Sequence, residues 1–333
     1  MNNTQLPDPR LDLVNDTLRT KYWSWVYFSP EGSPSRLAEV LNQGLPHISQ
    51  ESWPERFDFG GVYINGRPAL SDQELHFPCK IEYYEPKFPI SQASSIYPVI
   101  TEESIVYRDD DIVIAYKPAR LSSMPAKEQR HFSLKSSLEK LLTTTIHMPS
   151  RLDVSAQGLV VVSISSRAHA PLQQAFESRR VTKRYICGTT KSCPWERKVE
   201  LGQIGRDPRH PVLRVSPAEQ GQKAETIFTN LGTNTSSDHE ISVLCAQPIT
   251  GRTHQIRVHA SSNGLPLFGD KFYGGDDAPY LHLISSYVSC VHPITGKRLE
   301  CILPASFLHS WMASAIERVP SLDEATPSLP KSQ

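Results

Sequence analysis

The feature of the chain that most constrains its fold is a short apolar run at residues 159–162, Leu-Val-Val-Val, directly after the polar stretch 150–157. The run is mostly β-branched and too short for a typical helix, so it predicts a buried strand. Similar patterns predict strands at 112–116, 240–246 and 281–290. Since few segments have helical periodicity, the sequence predicts an α+β fold dominated by strands.

The chain of 333 residues is long enough for one large domain and one small one. Residues 34–85 combine a short amphipathic helix with an Asn65-Gly66 hairpin signal, which predicts a small helix-and-hairpin module. In this it loosely resembles the small RNA-binding module named after ribosomal protein S-four. The remaining assignments are an N-terminal extension at 1–33 with an edge strand near 22–28, a linker at 86–104, a catalytic domain at 105–318 and a disordered tail at 319–333.

Several classes of protein are excluded by what the sequence lacks. No run of about 18 apolar residues is present, so no membrane span is expected. No GxGxxG, GxxxxGK[ST] or HExxH pattern occurs, and the six cysteines form neither a CxxC pair nor a zinc-like spacing. We therefore expect a cytoplasmic protein with reduced thiols, no nucleotide cofactor and no metal site.

Charge is balanced over the chain but uneven along it. The 35 basic and 35 acidic residues give a formal net charge of zero, which offers no global attraction for nucleic acid. Residues 151–223, however, hold 13 basic and 6 acidic residues. Such a stretch is either a solvated surface or a lining for a phosphate backbone, and charge alone favours the first. For the second, the candidate RNA-binding residues are Arg179, Arg180, Lys183, Arg206, Arg209 and Arg214.

Two segments carry candidate chemistry. Arg151 and Asp153 lie in the polar turn that leads into the strand at 159–162, where a loop residue is held by a rigid scaffold. An isolated Arg-Leu-Asp tripeptide is more often an ordinary surface pair. The second segment, 251–259, reads Gly-Arg-Thr-His-Gln-Ile-Arg-Val-His. Within it, Arg257 is the best partner for a carboxylate, because its planar fork stays charged and binds two oxygens.

Taken in order, these segments resemble the RluA-type RNA pseudouridine synthases over about residues 105–305. The string at 251–259 is the most specific part of the resemblance. The strand and Lys-Pro step at 109–118, the Arg-Leu-Asp motif at 151–153 and the Lys-x-Tyr strand that contains Tyr185 match weaker motifs of the family.

The resemblance implies a fold, a reaction and a set of residue roles. The fold is a mostly antiparallel central sheet with flanking helices and loops around a cleft. The reaction isomerises a uridine of ribosomal or transfer RNA and needs no cofactor; a monomer is expected. Asp153 acts at the ribose, as a nucleophile on C1′ or as a base at C2′. Arg151 fills the gap left by the flipped base, Tyr185 stacks on that base, and Arg257 orients the carboxylate.

The chain departs from the family pattern at four positions. Ser150 stands in place of a His, Ala156 and Gln157 in place of Thr-Ser, and Arg120 in place of a Gly. These departures keep a second function open, that of a catalytically weak or inactive RNA-binding or ribosome-assembly factor on the same fold. A third hypothesis, an unrelated hydrolase with Asp153 as nucleophile, lacks a second acid or base at a convincing spacing.

Overall fold

A computed structural model of the chain describes residues 21–28, 35–76, 78–86, 88–127, 129–208, 210 and 212–319. Arg209, most of the predicted N-terminal extension and all of the predicted tail after Val319 lie outside the described residues. The described chain forms two compact units, residues 21–99 with 121–142 and residues 100–120 with 143–319. Among the described helices, none is long and apolar enough to cross a membrane.

The smaller unit is a four-stranded antiparallel sheet that packs against helices. Its elements are β1 (Lys21–Tyr27), α1 (Leu37–Gly44), α2 (Trp53–Phe59), β2 (Val62–Ile64), β3 (Arg67–Pro68), β4 (Cys79–Glu85), α3 (Ala93–Ile96) and α4 (Leu134–Leu142). The strand order is β1-β4-β2-β3. Helix α1 places Leu37, Val40 and Leu41 on one face, which is buried in the core of this unit.

The turn between β2 and β3 has a clear sequence signal, whereas the pairing of β1 with β4 has none. Asn65 and Gly66 join β2 to β3 with φ of 50° and 76°, the left-handed conformation that a two-residue hairpin turn requires. In contrast, β1 pairs with β4 over its whole length, with Tyr22 opposite Tyr84. A strand from the predicted N-terminal extension thus belongs to the same sheet as residues 62–85, and α4 joins this unit from the segment assigned to the catalytic domain.

The larger unit is built on a ten-stranded sheet. Its elements are β5 (Ile105–Arg108), β6 (Ile112–Lys117), β7 (Gln157–Ser163), α5 (Ser166–Glu177), β8 (Thr182–Thr189), β9 (Arg197–Arg206), β10 (Arg214–Val215), β11 (Gln222–Ser236), β12 (His239–Pro248), α6 (Gln255–Ser262), β13 (Leu283–Val291), β14 (Arg298–Ile302) and α7 (Ala313–Ile316). The strand order is β10-β9-β11-β12-β8-β13-β7-β6-β5, and β14 pairs with β13. Every pair is antiparallel except β13 with β7. The predicted α+β class with a mostly antiparallel sheet is confirmed.

Each face of this sheet has its own apolar core, because side chains alternate along a strand. Ile186 faces a cluster that contains Leu172 of α5 and Trp311 near the C-terminal end of the described chain. The preceding residue, Tyr185, faces a second cluster that contains Ile256 of α6. The candidate site lies on the face that α6 covers, while α5 packs on the opposite face.

The parallel pairing of β7 with β13 explains why residue 158 is a glycine. Gly158 has φ of 108° and lies opposite Ser285 of β13. A Cβ atom at this position would lie 2.2 Å from the Ser285 carbonyl oxygen, well inside any real contact distance. Only glycine lets β7 begin against β13 directly after the Asp153 turn.

Candidate active site

Asp153 lies in a tight turn before β7, with 25% of its side chain exposed. The turn is closed by the Ala156 N–H, which donates to the Asp153 carbonyl at 3.1 Å. The next carbonyl, that of Val154, accepts from the Arg120 N–H at 2.8 Å and from the Lys117 ammonium at 3.3 Å. The residues at the end of β6 therefore fix the loop that presents Asp153.

Lys117 is a fully buried lysine beside this loop. Its ammonium also donates to the Pro118 carbonyl at 2.9 Å. Burial lowers the pKa of Lys117 to about 7, against the opposing attraction of Asp153. A lysine with this pKa changes its charge near neutral pH, close to the candidate catalytic carboxylate.

Arg257, on α6, joins two carboxylates inside the larger unit. Its Nε and Nη2 donate to Asp270 at 2.8 and 2.6 Å, and its Nη1 donates to Oδ2 of Asp153 at 3.3 Å. The side chains of Arg257 and Asp270 are 3% and 0% exposed. Burial opposes the charge of Arg257, but the hydrogen bonds to Asp270 outweigh it and raise the pKa of the guanidinium. Asp270 is thus the main partner of Arg257. The remaining Nη1 group of this immobilised guanidinium donates to Asp153.

Tyr273 connects Arg257 with a neighbouring histidine. The Arg257 guanidinium lies 5.0 Å above the Tyr273 ring. The Tyr273 hydroxyl accepts from the backbone N–H of Arg214 at 3.0 Å and lies 2.7 Å from Nδ1 of His254. Because Nε2 of His254 faces the Asp153 carboxylate at 3.9 Å, we assign the imidazole proton to Nε2, and the Tyr273 hydroxyl then donates to Nδ1.

His254 faces the candidate catalytic carboxylate. Its Nε2 lies 3.9 Å from Oδ2 of Asp153. Burial lowers the pKa of His254 to about 4, with Asp153 opposing the shift. The imidazole is therefore neutral at pH 7 and orients a polar N–H toward Asp153 without adding a charge.

Tyr185 lies on β8, on the same sheet face as Asp153. It is 7% exposed and packs in the cluster that also contains Ala156 and Leu265. Burial raises the pKa of Tyr185, the Asp153 charge adds to the shift, and a hydrogen bond to Ser285 opposes it. The phenol therefore stays protonated and offers an apolar ring next to the carboxylate.

The residues that depart from the family pattern lie in or near the loop that presents Asp153. Arg120 adopts the left-handed conformation, with φ of 66°, that a glycine would take without strain, yet it still donates to Val154. Gln157 accepts from Tyr116 at 2.8 Å and contacts His309 at 3.3 Å. Tyr116 packs against the cluster of the opposite face, so the Gln157 side chain is turned away from Asp153. Ser150 is half-buried at the start of the Asp153 loop.

The remaining predicted residues do not form one group. Arg151 is exposed beside Asp153. Arg179 and Arg180 are exposed just after α5, and Arg180 donates to Ser178 at 2.8 Å. Lys183 is half-buried, with its ammonium 5.6 Å from the centre of the Phe176 ring, and burial lowers its pKa.

Arg206 and Arg214 lie elsewhere, facing each other across β9 and β10. Both line a concave surface of about 320 Å³ together with Arg252. Arg209 is outside the described residues.

Within the described residues, one group of acidic and histidine side chains is compact enough to hold a metal ion, namely Asp109, Asp111 and His292. Both carboxylate oxygens of Asp111 accept from Arg167, at 2.7 and 2.8 Å. Asp109 accepts from two backbone N–H groups and from Tyr107, and it lies 3.0 Å from His292. Since protein donors occupy these oxygens, the group is a hydrogen-bonded network at the start of β6 rather than a metal site.

Comparisons with known proteins agree on one family. Residues 111–262 match the family model described as RNA pseudouridylate synthase. The chain is 32% identical over 224 residues to the RNA pseudouridine synthase YhcT of Bacillus subtilis, which covers 64% of this chain and 72% of that protein. It is 31% identical over 211 residues to the dual-specificity RNA pseudouridine synthase RluA of Escherichia coli, which covers 61% of this chain and 93% of that protein.

Solved structures show the same similarity. Human RNA pseudouridylate synthase domain containing 1 superposes with a TM-score of 0.57 at 25% identity, covering 68% of this chain and 96% of that one. Human RNA pseudouridylate synthase domain containing 4 shares the fold, with a TM-score of 0.50 at 23% identity and coverage of 67% and 95%. The chain belongs to the RluA-type family of RNA pseudouridine synthases, which are isomerases that act on RNA.

Proposed function

We propose that this protein converts specific uridines in structured ribosomal or transfer RNA to pseudouridine, with Asp153 as the catalytic carboxylate. One observation carries the proposal. Asp153 is partly exposed, while the group that orients it, Arg257, is buried and immobilised by Asp270. A carboxylate held in this way is available to a substrate and yet fixed in direction, as a catalytic group must be.

The reaction takes place at the ribose of a flipped nucleotide. Extrusion of a base from a folded RNA costs a few kcal/mol. Asp153 then either bonds to C1′ as the N1–C1′ bond breaks, or removes a proton from C2′. The detached uracil turns, and C5 bonds to C1′ as the Asp153–C1′ bond breaks or, in the second route, as Asp153 returns the proton to C2′; the C5 proton is then released, and N1 takes up a proton. Atoms balance without a cofactor, since the product is an isomer of the substrate.

Three other residues support this step. The ring of Tyr185 lies on the same face as Asp153 and offers an apolar surface on which the base stacks while it turns. Arg151 is exposed beside Asp153, which suits a side chain that enters the gap left in the RNA. The neutral imidazole of His254 contributes a further N–H dipole toward the carboxylate.

The alternative function, an inactive RNA-binding or assembly factor, rests on the departures from the family pattern. Three of the four leave the geometry around Asp153 intact. Arg120 makes its backbone bond to Val154, Ala156 closes the turn, and Gln157 points to the opposite face. Ser150 begins the loop that presents Asp153, and the positions of the other three departures favour an active enzyme.

Mapping pseudouridines in ribosomal and transfer RNA from a strain that lacks the gene tests the proposal. We expect at least one site to lose its pseudouridine and to regain it when the wild-type gene is restored. Restoration with Asp153→Asn is expected to leave the site as uridine. An unchanged set of pseudouridines in the deletion strain would refute the enzymatic proposal, and restoration by Asp153→Asn would refute the role of Asp153.

A further inference from the structure

A concave surface of about 320 Å³ lies on the larger unit beside the candidate active site. Three arginines line it, Arg206 from β9, Arg214 from β10 and Arg252 from the loop before α6, together with Gln222 and Thr253. No aspartate or glutamate is among the residues that line it. The surface is therefore strongly cationic, although the chain as a whole is neutral.

Two of these arginines lie close enough to repel each other. Arg206 and Arg214 are direct partners in the antiparallel β9–β10 pair. Like charges at directly opposite positions destabilise a sheet. The Nη1 atom of Arg214 donates to the carbonyls of Val212 and Leu213 at 2.8 and 2.9 Å, which holds its guanidinium in place. An anion bound between the two arginines would remove the repulsion.

The third side of the concave surface is the beginning of α6. Gly251, Arg252 and Thr253 line it immediately before the helix starts at Gln255. The first N–H groups of a helix carry a partial positive charge that favours anions. The Gln255 N–H itself donates to the Arg252 carbonyl at 3.0 Å, so the helix adds positive potential here rather than a free donor. The Arg252 guanidinium is anchored by its Nε, which donates to the Lys223 carbonyl at 3.1 Å.

A chain of contacts fixes this surface relative to Asp153. The Arg214 N–H donates to the Tyr273 hydroxyl, which bonds to His254, and Nε2 of His254 faces Asp153 at 3.9 Å. An anion held by Arg214 and Arg252 therefore lies at a defined position with respect to the catalytic carboxylate. Such a fixed spacing is what a neighbouring group of an extended substrate requires.

We propose that the arginines of this concave surface bind a backbone phosphate of the RNA, one that neighbours the target nucleotide, and so position its ribose at Asp153. The inference rests on the proposed function. It assigns one defined phosphate contact to Arg206, Arg214 and Arg252 together.

The test measures how RNA affinity depends on salt. The probe is a short fluorescein-labelled oligouridylate, titrated with the full-length protein over a series of KCl concentrations. Each phosphate contact to a single strand adds about 0.7 to the slope of log affinity against log salt. Because Arg214 and Arg252 share the same phosphate, Arg206→Gln is expected to flatten the slope by up to about 0.7, and Arg206→Lys to retain it. The matched control is Arg197→Gln, which removes the same charge from an exposed position on the same strand, about 30 Å away at 3.3 Å per residue.

The salt slopes distinguish a phosphate site at Arg206 from a general loss of charge. A flatter slope for Arg206→Gln alone supports the site. Equal slopes for Arg206→Gln, Arg197→Gln and the wild type would overturn it, as would absence of measurable binding by the wild type. If inorganic phosphate competes with wild-type binding but the slope is insensitive to Arg206, the surface binds a free anion and the inference is wrong. Pseudouridine formation by the wild type in RNA from the deletion strain tests the proposed function independently of these slopes.

Discussion

The buried pair of Arg257 and Asp270 offers a sharp test of how the active site is held. Arg257→Lys keeps the charge but loses the fork, so one ammonium replaces a guanidinium that donates to Asp270 twice and to Asp153 once. A hydrogen bond to a charged group is worth about 1.5–3 kcal/mol. Loss of one or two such bonds in a fully desolvated pair predicts a fall of roughly 2–5 kcal/mol in the free energy of unfolding.

The chain contains its own control for this substitution. Arg167 also donates through Nε and an Nη atom to both oxygens of one aspartate, Asp111, at 2.7 and 2.8 Å. The Arg167 side chain is 62% exposed, against 3% for Arg257. Arg167→Lys should therefore destabilise the fold much less than Arg257→Lys.

Urea unfolding measures the loss of stability in the two variants. Single-turnover pseudouridine formation measures their loss of activity. Arg257→Lys is expected to lower the rate by at least about 100-fold, because Asp153 loses its fixed direction. Arg167→Lys should leave the rate unchanged. If the two variants lose similar stability, burial does not set the strength of the Arg257 pair, and the account of how Asp153 is oriented is wrong.

Three further predictions concern the ring, the basic residues and pH. Tyr185→Ala should lose far more activity than Tyr185→Phe, since base stacking is worth about 1–3 kcal/mol; equal large losses in kcat would show that the hydroxyl transfers a proton. Replacing Arg179 and Arg180 with Ala should weaken RNA binding and flatten its salt slope with little change in turnover at saturating RNA, whereas an unchanged slope identifies them as a solvated helix end. Because burial lowers the pKa of Lys117 to about 7, the folded state binds fewer protons than the unfolded state between pH 7 and the ordinary lysine pKa. The free energy of unfolding contributed by this residue should therefore rise with pH above 7, and Lys117→Met should lack that rise in urea titrations at several pH values.

The sequence predicts those parts of the fold that a local pattern determines. The apolar run at 159–162 lies within β7, and the Asn65-Gly66 turn joins β2 to β3, because β-branched runs and positive-φ turns act over a few residues. Strands β9 and β11 were not predicted. Exposed and half-buried side chains alternate along most of β9. In β11 the buried Ala224, Thr226 and Phe228 alternate with half-buried residues. Both strands contain many polar residues, so no apolar run marks them.

In the candidate site, too, only the features with a local sequence pattern are predicted. A resemblance at the level of motifs singles out Asp153 and Arg257, and the structure places them 3.3 Å apart. It does not reveal that Asp270 is the main partner of Arg257, because that contact depends on how the chain turns at Gly269. A Cβ atom there would lie 2.1 Å from the Tyr280 carbonyl oxygen. The Gly269-Asp270 step was a signal for this turn, but spacing alone gives no partner.

The histidine and lysine near Asp153 were also missed, for a physical reason. In the 251–259 segment His254 is one of two histidines, and their spacing does not match a metal-ligand pattern. Its orientation toward Asp153 comes from the left-handed φ of 57° at which α6 begins and from the Tyr273 hydroxyl. Lys117 was part of a recognised motif, but its contact with Val154 requires β6 and β7 to lie side by side.

Conversion of unmodified RNA in vitro shows whether Asp153 performs the chemistry. RNA purified from the deletion strain is incubated with an excess of wild-type protein or of Asp153→Asn, and pseudouridine is quantified by mass spectrometry of the released nucleosides. The substitution is isosteric and removes the charge alone, so binding of the same RNA serves as the control for folding. We expect pseudouridine with the wild type and none with Asp153→Asn, at closely similar RNA affinity. Conversion by Asp153→Asn at a rate near that of the wild type would contradict this role of Asp153.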